Sequence, residues 1–136
     1  MILVDDRWAV EALARNLPDT VGPAPVATTH AFWYRLARAL VDPTVRGVLS
    51  HEADPEMVLA LVLDPPPDRL VVLDPRRTIR EAVHAAVDHS ANYLLAQLLG
   101  AAIATGWPVR VSSQGARWSS AMAGEGIEYA VVPVQN

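Results

Sequence analysis

The stretch from Asp88 to Val132, DHSANYLLAQLLGAAIATGWPVRVSSQGARWSSAMAGEGIEYAVV, leaves the chain few ways to fold. Leu94, Leu98 and Ala102 recur at i, i+4 and i+8, and Leu95, Leu99 and Ile103 run on the neighbouring line. Together they make an apolar stripe wider than a surface helix needs, which predicts a long, mostly buried helix. Gly106 and Pro108 supply its stop. The β-branched run Val109-Arg110-Val111-Ser112-Ser113 predicts a strand, Gln114–Gly115 a turn, and the residues around Trp118, Ala121 and Met122 a second short helix. Gly124 and Gly126 close it, and Ile127 to Val132 reads as a last strand. A helix between two strands at this spacing is the unit of a parallel sheet.

The rest of the chain repeats that grammar. Met1-Ile2-Leu3-Val4 is an apolar run ending in Asp5–Asp6, predicted as a buried central strand whose end carries two carboxylates. Trp8, Ala9, Ala12, Leu13 and Leu17 follow at helical spacing, with Asp5 or Asp6 as the cap. Val26 to Thr29 reads as a short extended piece, with Thr28 or Thr29 capping a helix that carries Phe32, Trp33, Leu36, Ala37 and Leu40. Thr44 to Leu49 reads as a short linking segment, and Asp54-Pro55-Glu56 as the start of a helix ended by Pro65, Pro66 and Pro67. Leu70 to Leu73 is a second clear strand, ending at Asp74. Thr78 to Val87 is predicted helical, with Ile79, Val83 and Ala86 as its apolar face. The expectation is a single α/β domain over residues 1–136, three-layered, with a mostly parallel central sheet of about four strands flanked by helices.

Composition narrows the function classes. Half of the 136 residues are hydrophobic, which is enough for a core. There is no cysteine, so no disulfide and no thiolate metal site. A net charge of −4 argues against a broad non-specific nucleic-acid surface. All eleven basic residues are arginine, a bias that a GC-rich genome explains. No basic leader and no apolar run of membrane-spanning length is visible, so the expectation is a soluble, cytoplasmic protein with no membrane contact.

The opening ILVD, the helix carrying small and aromatic residues after ATT, the alanine-rich late helix, the strand VRVSS and the closing GIEYAVV together resemble the PIN-domain fold. The resemblance covers nearly the whole chain and points towards a bacterial branch with a WY-x-R-L helix. It implies a relationship to metal-dependent ribonucleases, many of them toxins of toxin–antitoxin pairs. The family's first acid is matched by Asp5. Its second falls at Arg35, its third at Asn92 with Asp88 a turn earlier, and its fourth at Ser112 and Gln114. The resemblance therefore implies a cleft of Asp5, Asn92 and Gln114 at the catalytic positions, with Arg35 and Ser112 as substrate contacts. A Mg²⁺ or Mn²⁺ site needs hard oxygen ligands and more than one carboxylate. Asp5 with Asp88 is the nearest this sequence comes, so no cofactor is expected unless nuclease activity survives, when it would be Mg²⁺ or Mn²⁺.

Each residue has a plainer role beside the functional one. Asp5 is a helix cap or a site carboxylate, and Asp6 a cap or a solvent-facing acid. Arg35 is a surface arginine on an amphipathic helix, or the ion-pair partner of Asp5, its guanidinium standing where a metal would. Asn92 starts a helix, and Ser112, Ser113 and Gln114 are explained by turn chemistry. His84 and His89 are five apart and share no helix face, so a zinc site is not expected. Trp8, Trp33, Tyr34, Trp107 and Trp118 are base-stacking candidates, with core packing expected for most.

Three function classes follow. The first is a non-catalytic PIN-like domain acting through an antitoxin or other protein partner, or as a homodimer. The second is a surviving ribonuclease with RNA as its partner, using Asp5, Asp88 or Asp74. The third is a phosphate or nucleotide-binding module using Arg35 and the amides after Gln114.

Overall fold

A computed structural model describes residues 1–41, 55–113 and 115–134. Five strands form one all-parallel sheet: β1 (Leu3–Val4), β2 (Val26–Thr29), β3 (Leu70–Leu73), β4 (Val109–Val111) and β5 (Tyr129–Val131), in the order β3-β2-β1-β4-β5. The six α-helices among the described residues are α1 (Asp6–Leu13), α2 (His30–Val41), α3 (Pro55–Leu63), α4 (Ile79–Asp88), α5 (Tyr93–Thr105) and α6 (Ala116–Gly124). A 3-10 turn at Pro75–Arg77 leads into α4. The layered α/β architecture is the expected one, with a fifth strand. Val26–Thr29, which reads only as an extended piece, is buried at every position and pairs on both sides. Thr28 and Thr29 therefore belong to the sheet: Thr29 directly precedes α2 but its hydroxyl bonds no described residue, and the Thr28 hydroxyl donates to the Val4 carbonyl at 3.0 Å.

Strand alternation sorts the core into two clusters, one on each sheet face. Val4, Val26 and Leu70 face α1 and α3, where they meet Trp8, Val10, Leu13 and Val62. Leu3, Ala27, Val109 and Val111 face α5 and α6, where they meet Leu95, Leu98, Leu99 and Met122. α2 serves both, with Phe32 in one cluster and Trp33 against the other. Trp107 and Trp118 also pack on the core, whereas Tyr34 is exposed. β1 is the shortest strand and the central one, so the acids that follow it leave the middle of the sheet.

α5 is buried from Leu95 to Ala102 and ends at Gly106, which takes a left-handed conformation (φ 73°) and returns its N–H to the Ala102 carbonyl. α4 departs from expectation. Its buried residues are Ala82 and Ala85, while Ile79 and Val83 point outward. The cause is a very close crossing of α4 and α5 at Gly100, against the Ala82 backbone. Only small side chains fit that seam, so the larger apolar residues of α4 are displaced to its outer flank. The Thr44–Leu49 segment and the Asp54 helix start lie outside the described residues, although α3 begins at Pro55 as expected. Among the described residues no helix is long and apolar enough to cross a membrane.

Candidate functional site at the end of the central strand

Asp5 leaves β1 in extended geometry (φ −77°, ψ −179°) and caps α1, its Oδ1 accepting the Trp8 N–H at 3.1 Å. Its Oδ2 accepts twice from Ser112, at the end of β4: from the backbone N–H at 2.6 Å and from the hydroxyl at 2.7 Å. Asp5 thus ties the start of α1 to the next strand over. Burial pushes its carboxyl up to about 6, against the lowering effect of the Ser112 and Trp8 donors, and the neighbouring charge of Asp6 adds to the rise.

Asp6 is the first residue of α1 and is also buried. Its Oδ1 accepts the Arg7 N–H at 3.0 Å, and its Oδ2 lies 3.1 Å from Arg35 Nε. Burial raises its carboxyl, and the Arg35 guanidinium opposes that rise. The expected Asp5–Arg35 pair is therefore replaced by Asp6–Arg35, and Asp6 is neither a cap nor solvent-facing. The cause is the strand-to-helix turn. Capping and Ser112 take up both oxygens of Asp5, and the next residue is the one whose carboxylate meets α2.

Among the described residues, Asn92, Asp88 and Asp74 make no hydrogen bond to either of these acids. Asn92 caps α5, its Oδ1 accepting the Leu95 N–H at 2.9 Å. Asp88 is exposed at the end of α4 and borders a shallow cavity with Arg80, Glu81, His84 and Glu125. Asp74 caps the 3-10 turn and pairs with Arg76 at 2.8 Å. Gln114 lies outside the described residues. Among the described residues no three His, Cys, Asp or Glu side chains converge as a metal centre would require. His89 pairs with Glu125 at 2.7 Å.

Some of the site is absent from the sequence reading. Tyr129, on β5, senses the Asp5 charge, and burial is the main reason that its hydroxyl is pushed up. His30, directly after β2, meets Tyr93 at the start of α5 with Nε2 and the hydroxyl 2.9 Å apart and the rings edge to face. Thr29 follows Ala27 by two residues as Asp5 follows Leu3, and Leu3 and Ala27 are register partners, so Thr29 stands beside Asp5 on the α5 face. Its buried hydroxyl and the buried Gln97 carbonyl of α5 have no hydrogen-bond partner among the described residues. Nothing in the sequence signals the His30–Tyr93 contact, since the residues are far apart in the chain. The Thr29 position was legible only once Val26–Thr29 was known to be a strand.

Compared with models of known protein families and with the curated proteins, this sequence matches none.

Proposed function

We propose that the chain is a PIN-like domain with a degenerate acidic site, non-catalytic, working in the cytoplasm through a protein partner or by self-association. The observation that carries this reading is the occupancy of the acids at the end of β1. All four carboxylate oxygens already have a protein donor: Trp8 and Ser112 for Asp5, Arg7 and Arg35 for Asp6. Each of these oxygens is already oriented by a protein donor, and a divalent cation approaching Asp6 would compete with the Arg35 guanidinium for the same carboxylate. The acids act as structural ties between β1, β4, α1 and α2.

The outward line of Ile79, Val83 and Val87 on α4, exposed by 47%, 55% and 75%, offers an apolar face for the partner or second copy. Calorimetric titration with Mg²⁺ and Mn²⁺, alongside incubation with structured RNA, tests the reading. The expected result is no saturable metal binding and intact RNA. Micromolar metal binding that disappears in Asp5→Ala, with metal-dependent RNA cleavage, would favour the ribonuclease reading instead.

A further inference from the structure

Glu11 is a carboxylate with no evident reason to be buried. It lies on α1 between Val10 and Ala12, is 4% exposed, and makes no side-chain hydrogen bond or ion pair with any described residue. Arg15, one turn further on and placed to form an i,i+4 pair, takes a left-handed conformation (φ 63°) and borders a separate cavity with Asp19 and Asp68. Most of the residue is covered, but its carboxylate oxygens are not sealed from solvent, so the charge faces open space where water, or a cation in its place, can reach it.

Glu11 borders a cavity of about 650 Å³. Trp8, Val132 and Val134 give it apolar walls, and Asn16 and Thr20 stand at its polar margin. The far wall is held in place: the Trp8 indole N–H donates to the Val132 carbonyl at 2.7 Å, which anchors the segment after β5 beside α1. The volume falls within the range of small-molecule sites. A single negative charge among apolar walls selects a cation, and an adjoining indole adds attraction for one. The walls in turn favour a carbon chain attached to that cation.

We propose that this cavity binds a small organic cation, a primary amine or guanidine on a short carbon chain, with Glu11 as its counter-ion. Trp8 and the Val132–Val134 segment cover the chain, and Asn16 and Thr20 frame the entrance. The site is separate from the Asp5–Ser112 junction and does not depend on the function proposed above.

The test is calorimetric titration of the full chain with n-butylammonium and n-butylguanidinium, using butan-1-ol and butyrate as controls of matched shape. The cations are expected to bind and the controls not to. Glu11→Gln should weaken cation binding by at least about tenfold, equivalent to about 1.4 kcal/mol, with the far-UV spectrum unchanged. Thr20→Trp, at an exposed position on the margin, should obstruct entry while leaving the carboxylate intact, and it decides the matter if Glu11→Gln does not fold. An acetylated Gly-Arg-Gly amide is titrated in parallel. If it binds more tightly than the free guanidinium, the cation site stands and its occupant is an arginine side chain of a protein. Equal binding of cations and butan-1-ol, no binding of either cation, or unchanged cation binding in Thr20→Trp overturns the proposal.

Discussion

Ser112 holds one oxygen of Asp5 with two donors, its backbone N–H at 2.6 Å and its hydroxyl at 2.7 Å. Ser112→Ala keeps the backbone donor, so it removes only the hydroxyl and leaves the buried carboxylate one donor short. The expected cost is about 1.5–3 kcal/mol at neutral pH, the range for a hydrogen bond to a charged group. The Asp5 carboxyl should also move further up, because the hydroxyl holds it down. Urea denaturation and NMR titration of the carboxyl carbon check the two effects, and an unchanged Asp5 titration would refute the contact.

Asp5 should make the protein more stable in mild acid than at neutrality. Its carboxyl titrates near 6 in the fold and is taken as 3.8 in the unfolded chain. Between those values the folded state binds the extra proton, so stability falls as pH rises. The contribution is fully present below about 4 and is lost as pH passes through about 6, amounting to about 3 kcal/mol for a shift of this size. Asp6 shifts in the same direction. The difference between wild type and Asp5→Asn therefore isolates Asp5. Measured by urea denaturation at pH 4 and pH 7.5, wild type should lose about 3 kcal/mol relative to the variant. No change in that difference would contradict the buried environment assigned to Asp5.

Arg35→Ala should have a small effect that depends on pH. The Arg35 side chain is 50% exposed while that of Asp6 is 9% exposed, so solvent and salt screen the pair from one side. The expected cost at neutral pH is about 0.5–1 kcal/mol. The guanidinium favours only the charged form of Asp6, so the cost should vanish once acid has protonated that carboxyl. Paired denaturation curves at pH 7.5 and at the acid end of the folded range give the comparison. A loss that is the same at both values would mean that Arg35 acts through its packing and not its charge.

How much of this was legible in the sequence differs from element to element. The boundaries of α5 were visible because Gly106 and Pro108 are chemical stops and the leucine pattern is dense. β2 was obscured because its four residues run directly into α2 at His30, leaving no turn residue to mark a strand end. At the candidate site, the end of the central strand and its acids were legible, but not which acid meets Arg35. Asp5 and Asp6 are adjacent, and a one-residue step at a strand-to-helix turn reverses the face that a side chain takes. The cavity that Glu11 borders has the distant segment after β5 as another of its walls, which local pattern cannot reveal. Ile79 and Val83 fit an apolar helix face, yet the packing chose the alanines, because helix separation is decided by the partner helix.

That choice underlies the last prediction. A methyl group added at Gly100 would stand 2.4 Å from the Ala82 nitrogen, 2.5 Å from its Cα and 2.9 Å from its Cβ. The two nearest atoms are backbone, so no rotamer change relieves them, and α4 would have to move off α5. Helix propensity alone favours alanine over glycine by about 1 kcal/mol. Overpacking of a tight seam costs about 1–3 kcal/mol or more, and with two backbone atoms this close the upper end applies, so after the propensity gain Gly100→Ala should be destabilising by about 1–2 kcal/mol. Gly106→Ala is the contrasting case: the added carbon would meet nothing within 4 Å, so its left-handed backbone is the source of cost, about 1–2 kcal/mol. The double variant Gly100→Ala with Ala82→Gly separates backbone from side chain as the obstacle. Removing the Ala82 methyl leaves both closest atoms in place, so urea denaturation should show little rescue, and recovery to wild-type stability would show that the methyl alone held the helices apart.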